Sequence, residues 1–254
     1  MSLTFGAGAT DNVNIGSGAS IDNLDPVTIL AWVYVTTLTQ NRTIYCKGPS
    51  GSFRTLLRLG DGSGNVQMAV LRTALTNYIT NDAPIAADSW RLVAATFDST
   101  AGAGEIANIY VGSLAANAVE SAYGTATDGS GTVTDDAANN AFWGNSATVD
   151  APLQGRIAYC AVVDRVMTLA EIQSWQWRPR VVSGCVDFHA LGFAGTGTQP
   201  DWSGNSNAGT VTGATVSDHV PLPAPFGWME EWNGAFVAAA AASAPKRLMT
   251  LGAG

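Results

Sequence analysis

Short apolar runs recur along this chain of 254 residues, each bounded by Gly, Asn, Asp or Ser. They are rich in Val, Ile, Thr, Tyr and Trp, residues that fit a pleated, half-buried surface. The runs predict strands within residues 12–16, 28–37, 42–47, 55–60, 65–72, 77–81, 89–98, 106–112, 140–145, 153–164, 183–188 and 208–216. Residues 28–35, Thr-Ile-Leu-Ala-Trp-Val-Tyr-Val, are almost all apolar, so both faces of that strand are expected to be covered. In the 89–98 run, Trp90, Leu92, Ala94 and Thr96 alternate with Arg91, Val93, Ala95 and Phe97. Both sets are mainly apolar, which predicts a second strand deep in a layered structure. Residues 61–65 and 98–104 supply Gly- and Asp-rich hairpin turns. One helix is predicted. Thr168-Leu169-Ala170-Glu171 forms a capping box, and Ile172, Trp175 and Gln176 follow at helical spacing. Many short strands with one helix make an all-β sandwich.

The C-terminal part of the chain holds a pattern that belongs with its N-terminal part. Residues 200–213 read Pro-Asp201-Trp202-Ser203-Gly204-Asn205-Ser206-Asn207-Ala-Gly209-Thr210-Val-Thr-Gly213. Residues 3–16 contain Phe5-Gly6 and Asp11-Asn12-Val13-Asn14-Ile15-Gly16, and the Thr28–Trp32 strand comes next. Near the helix stands Arg165-Val166-Met167-Thr168-Leu169-Ala170-Glu171-Ile172. Together these motifs resemble the laminin-G-like, concanavalin A-like jelly roll, across about residues 3–218. In most members of that family the Asp-x-Ser-Gly-Asn turn comes first, so this chain reads as circularly permuted. The resemblance implies a jelly-roll β-sandwich over 1–218, and residues 219–254, beyond it, read as an extended C-terminal arm. It also predicts that 183–216 pairs with strands around 3–16 and closes the sandwich across the chain ends.

Composition narrows the function classes. Charged residues make up only 13% against 46% hydrophobic, where a soluble domain carries about a quarter charged. The expected exterior is rich in Gly, Ser, Thr and Asn, or is partly covered by another protein. The net charge of −8, with no basic cluster, excludes nucleic acid and disfavours an anionic membrane. No run reaches the roughly eighteen apolar residues of a membrane span. The three cysteines, Cys46, Cys160 and Cys185, are too few and too far apart for a disulfide framework or zinc, and read as buried free thiols. No export signal opens the sequence, so synthesis in a reducing cytoplasm is expected.

Catalytic chemistry finds no constellation, and the chain is not expected to be an enzyme. Glycoside hydrolysis needs two carboxylates facing across the scissile bond. The adjacent acids, Asp135-Asp136 and Glu230-Glu231, read as solvated polar residues. The two histidines, His189 and His219, read as structural hydrogen-bonders. No cofactor is expected beyond calcium, which laminin-G-like domains often bind at a sheet rim. Asp201, Ser203 and Asn205 present oxygens at alternating positions, as calcium loops do. The competing reading is a local Asx turn with Gly204 at positive φ, and the single carboxylate favours it. Asp11, Asn12 and Asp98 are further candidates. For a glycan, the aromatics near rim loops are Trp143, Trp202 and Tyr123, set against the general tendency of such rings to fill a core.

Residues 219–254 begin with His-Val-Pro-Leu-Pro-Ala-Pro-Phe-Gly-Trp, a Pro-punctuated stretch that cannot continue a sheet. Phe226, Trp228, Met229, Trp232 and Phe236 then present large apolar groups expected to dock on another subunit. No export signal, low charge, no catalytic constellation and an apolar arm point to a structural subunit. The exit over residues 220–227 resembles that of laminin-G-like jelly rolls among phage structural proteins, which implies a structural virion protein, a bacteriophage capsid decoration or cement protein. Its partners would be the major capsid protein, other virion subunits and further copies of itself. The alternative is a glycan-binding module of a phage tail or bacterial adhesin, at a cell surface or outside the cell.

Overall fold

The computed structural model describes residues 1–222 other than 9, 40 and 61. The chain divides into two compact units, Met1–Pro221 and Leu222–Gly254. The expected docking residues Phe226, Trp228, Met229, Trp232 and Phe236 lie outside the described residues, as do Glu230 and Glu231.

In chain order the strands of the first unit are β1 (Ser2–Phe5), β2 (Asn12–Gly16), β3 (Val27–Val35), β4 (Thr43–Lys47), β5 (Thr55–Leu59) and β6 (Val66–Val70). Then come β7 (Arg72–Ala74), β8 (Thr76–Thr80), β9 (Trp90–Phe97), β10 (Ala107–Ser113), β11 (Val119–Glu120), β12 (Tyr123–Thr127), β13 (Ser130–Val133) and β14 (Ala141–Trp143). β15 (Gly155–Val163), α1 (Leu169–Trp177), β16 (Cys185–Ala190), β17 (Thr210–Thr212) and β18 (Thr215–Ser217) complete it. One sheet runs β11-β10-β9-β3-β15-β1-β18, with β16 also on β15; the other runs β12-β8-β6-β5-β4-β14-β2-β17. β13 pairs with β7 as a small separate ribbon. All the pairings are antiparallel in this jelly roll, and α1 is its one α-helix among the described residues.

The period-2 alternation of the strands builds the core. Val13 and Ile15 of β2, Ile29, Ala31 and Val33 of β3, and Met68 and Val70 of β6 face each other between the sheets. The second face of β3 is also covered, as its composition predicts. Thr28 receives the Met167 N–H and donates to the Arg165 carbonyl, and Trp32 donates its indole N–H to the Gln176 carbonyl at 2.9 Å. Helix α1 thus roofs the outer side of the sheet. Its capping box is formed, with Thr168 and Glu171 reaching for each other's backbone. Arg165, together with Thr168, holds the Glu171 carboxyl down to about 2. Its buried residues are Ile172, Trp175 and Gln176.

The chain ends close the sandwich. β17 pairs with β2 at the edge of one sheet, and β18 pairs with β1 at the edge of the other. The single run expected at 208–216 is two strands because Gly213 (φ +70) turns the chain from one sheet to the other. β1 is the first of the strands expected around 3–16, whereas the sequence pattern missed β7, β11, β12 and β13.

Gly155, at the start of β15, marks where backbones approach closely. An added Cβ would strike the Tyr34 carbonyl oxygen and sit 3.0 Å from Val35 Cα. Gly155→Ala is expected to lower stability by about 2–3 kcal/mol, the upper part of the range for overpacking, because both obstacles are backbone. Urea denaturation checks this, and a loss under about 0.5 kcal/mol would show that β3 and β15 separate freely there.

Candidate functional site

The three aromatics that sequence placed near rim loops have different fates. Trp143 is fully buried, tilts against Tyr45 with ring centroids 4.8 Å apart, and donates its indole N–H to Asp187. Tyr123 packs edge-on to Tyr78, and its hydroxyl receives the Ile109 N–H and donates to Glu120. Trp143 belongs to the core, and Tyr123, half-buried, packs against it. Trp202 is 43% exposed and meets Phe193, 38% exposed, edge to face at 5.6 Å between centroids. Sequence reasoning missed Phe193. Its available signal was an aromatic alone in the Gly-rich stretch 192–197, where no strand or helix would bury it.

Both rings stand on a loop, residues 191–209, that is braced from within. Gln199, fully buried, accepts the Gly192 N–H at 2.8 Å and donates to the Gly195 and Gly197 carbonyls. Its backbone exchanges two hydrogen bonds with Gly209. Gln199 therefore fixes the stretch that carries Phe193. Asp201 fixes the stretch that carries Trp202. One carboxylate oxygen accepts the Phe188 and Ser203 N–H groups, and the other accepts the Ser203 hydroxyl and the Asn207 N–H. Burial pushes the Asp201 carboxyl up, but these donors outweigh it and hold it below the usual carboxylate range. The Trp202 N–H itself donates to Phe188 at 2.9 Å.

This geometry bears on the calcium candidates. Asp201 spends its oxygens on local donors, the one Ser203 hydroxyl hydrogen lies between Asp201 and the Val186 carbonyl, and Asn205 turns its amide to Cys185 and Ser203. Gly204 sits at φ +92, as an Asx turn needs. Of the further candidates, Asp11 accepts the Gly6 N–H, Asn12 donates to Thr10, and Asp98 caps Thr100. No cluster of three or more His, Cys, Asp or Glu suited to a metal occurs among the described residues.

Behind the loop lies a buried polar bridge. Asp187 and His189 on β16 are both fully buried and 2.9 Å apart. His189 also contacts the Pro200 carbonyl at 3.0 Å. His219 lies edge-on against Tyr159 and bonds the Val220 carbonyl.

One polar expectation is corrected. Asp135 is exposed, but Asp136 is not solvated: it is buried and pairs with the buried Lys47 at 2.8 Å. The Lys47 ammonium draws it in, because β4 ends beneath that loop. On the outer side of β5, β6 and β8, Arg58, Gln67 and Asn77 form a ladder with two 2.6 Å hydrogen bonds. The three thiols are free and buried, and burial pushes Cys46 up to about 12 and Cys185 up to about 11. Neither is a nucleophile at neutral pH.

The fold agrees with comparison to known proteins. Residues 7–173 match the concanavalin A-like lectin/glucanases superfamily, in its laminin G branch, and the chain belongs to that family. A solved structure of a candidate carbohydrate-binding protein from Bacteroides ovatus superposes with a TM-score of 0.59 at 18% identity, covering 88% of this chain. This chain spans 61% of the length of that one. The CBM40 domain of a Ruminococcus gnavus IT-sialidase, bound to α2,3 sialyllactose, gives 0.48 at 15% identity over 68% of this chain and 94% of its own. Domains LG4-5 of the mouse laminin α1 chain give 0.46 at 12% identity over 75% of this chain and 47% of their own. No curated protein sequence matches the chain.

Proposed function

We propose that this chain is a glycan-binding module whose platform is the Trp202–Phe193 pair on the 191–209 loop. One observation carries the reading: two large aromatic rings stand exposed, edge to face, on a loop whose backbone is braced by buried Gln199 and Asp201. A pyranose presents an apolar C–H face to such a ring, and its hydroxyls need directional polar partners. Thr196, Thr198, Asn205 and Ser206 are exposed on the same loop. None is charged, and the loop's one acid is consumed by its own turn, so the ligand class is a neutral saccharide. Membership of a family that includes lectins supports the reading, as does the stated carbohydrate role of the Bacteroides ovatus neighbour. The module binds rather than cleaves, and its place is a cell surface or the extracellular space. No helix among the described residues is long and apolar enough to cross a membrane. A capsid-decoration role would rest on residues 226–236, and no observation among the described residues favours it.

The test is a glycan array followed by calorimetry on the hits. Trp202→Ala is expected to weaken binding at least tenfold, about 1.4 kcal/mol, with little change in melting temperature because the ring is exposed. Undiminished binding by the variant sinks the platform assignment. A wild-type protein that binds no saccharide on a broad array sinks the function.

A further inference from the structure

We infer that His189 is the positioning residue of the Trp202 platform, holding it only while the Asp187–His189 pair keeps its shared proton. The inference rests on reading Trp202 as the ligand platform.

Two ring contacts carry it. Nδ1 lies 3.0 Å from the Pro200 carbonyl oxygen, which only accepts, so Nδ1 bears a hydrogen. Nε2 lies 2.9 Å from an Asp187 carboxyl oxygen, and the other oxygen of that group accepts the Trp143 indole N–H at 3.1 Å. A neutral imidazole has a single N–H. The second contact therefore needs one more hydrogen, on Nε2 or on Asp187. Either way the pair holds one proton beyond a neutral ring and a carboxylate.

Removing that proton leaves one lone pair facing another. A ring lone pair against the charged Asp187 carboxylate is the costlier choice, so the remaining hydrogen stays on Nε2. Nδ1 then turns its lone pair on the Pro200 carbonyl. The repulsion falls on the residue that precedes Asp201 and Trp202. The hydrogen bonds that seat those two residues on β16, Phe188 N–H to Asp201 and Trp202 N–H to Phe188, lie next to it.

The surroundings single out the His189 ring. It faces Asp187 and Cys185 on β16, Cys160 on β15, Asp201 on the loop and, beyond Asp187 across the core, Tyr45 on β4. Burial raises Cys160, Cys185 and Tyr45, which stay neutral in the physiological range. Asp201 is held low and stays ionised. Burial lowers the His189 value, but Asp187, then Asp201 and the Pro200 carbonyl, outweigh it and leave it raised. A raised folded value means the contact is fully present below the ordinary imidazole range and is lost as pH rises through the folded value.

Amide hydrogen exchange on the intact chain tests this without a mutation. Protection factors, which correct for the intrinsic pH dependence, are read at about pH 6 and about pH 9. The expected result is a loss of about tenfold or more at Phe188, Trp202 and Asn207, with β3 and β9 unchanged. In His189→Gln, which does not titrate, the same amides are expected to show no pH step. Binding of the neutral glycan found on the array is expected to fall over the same range in the wild type alone. Flat protection of the wild-type loop across the pH range in which NMR of the His189 ring shows it losing its proton overturns the inference, as does a ring that titrates at its ordinary value, whatever the glycan data show and whether or not the variant folds. A pH step in the loop of a protein that binds no glycan leaves the latch standing and removes the proposed function instead.

Discussion

Replacing Lys47 with Met is expected to cost about 3–5 kcal/mol of folding stability, the range for breaking a buried ion cluster from one side. Lys47 ends β4 with its side chain 1% exposed. Its ammonium lies 2.6 Å from the Ile21 carbonyl, 2.6 Å from an Asp22 carboxylate oxygen and 2.8 Å from an Asp136 carboxylate oxygen. Asp136 is also interlocked with Asn23, each accepting the other's backbone N–H through its side chain. One cation thus joins the β2–β3 connection to the β13–β14 connection. Methionine fills similar volume but leaves Asp136, 3% exposed, as a buried charge with its cation gone. Urea denaturation measures the loss. Adding Asp136→Asn to Lys47→Met is expected to recover part of it, since the uncompensated charge is the main penalty. A single-variant loss below about 1 kcal/mol would mean that water reaches the cluster and screens it.

Gln176→Ala is expected to cost at least about 3 kcal/mol, because it strips three hydrogen bonds from groups that α1 seals against water. Gln176 is fully buried. Its carbonyl accepts the Ala118 N–H at 2.7 Å, and its amide donates to the Ser113 and Ala116 carbonyls, both at 2.8 Å. The amide lies directly on Gly112, where an added Cβ would come within 2.7 Å of it. Gln176 thus ties the turn after β10 to the helix from inside, beside Gln173, which donates to the Ala118 carbonyl, and Trp177, which donates to Asn117. Thermal and urea unfolding should show the loss, and exchange protection should fall first at Ala118. Retained protection at that amide would show that water replaces the glutamine.

The strands legible in the sequence are those whose alternation meets a core. β2, β3, β9 and α1 were found because Val13, Ile15, Ile29, Val93, Ile172 and Trp175 recur at the spacing of the surface they bury. β12 and β13 were missed because their residues are largely exposed and Gly- and Thr-rich. Edge pairing with β8 and β7 makes them strands, and edge pairing leaves no apolar period. The turn at 201–207 was legible as chemistry, since Asp, Ser, Gly and Asn at those spacings bond their own backbone.

The candidate site was legible only in part. Trp143, Trp202 and Tyr123 look alike in a sequence, because an aromatic beside a loop signal does not say which way its ring points. Packing decides that: Trp143 faces Tyr45 and Asp187 across the core, while Trp202 sits outside β16 on a backbone its neighbours fix. The same holds for Lys47 and Asp136, which read as polar ends until the jelly roll stacks two distant loops over one strand end. Local periodicity and turn chemistry depend on neighbours in the chain, so the sequence by itself determined the strand-rich class and the helix with its cap, while closure of the sandwich by its two ends was legible only through the family resemblance. Exposure, ion pairing and the seating of Trp202 depend on residues far apart in the chain, so only the tertiary structure decided them.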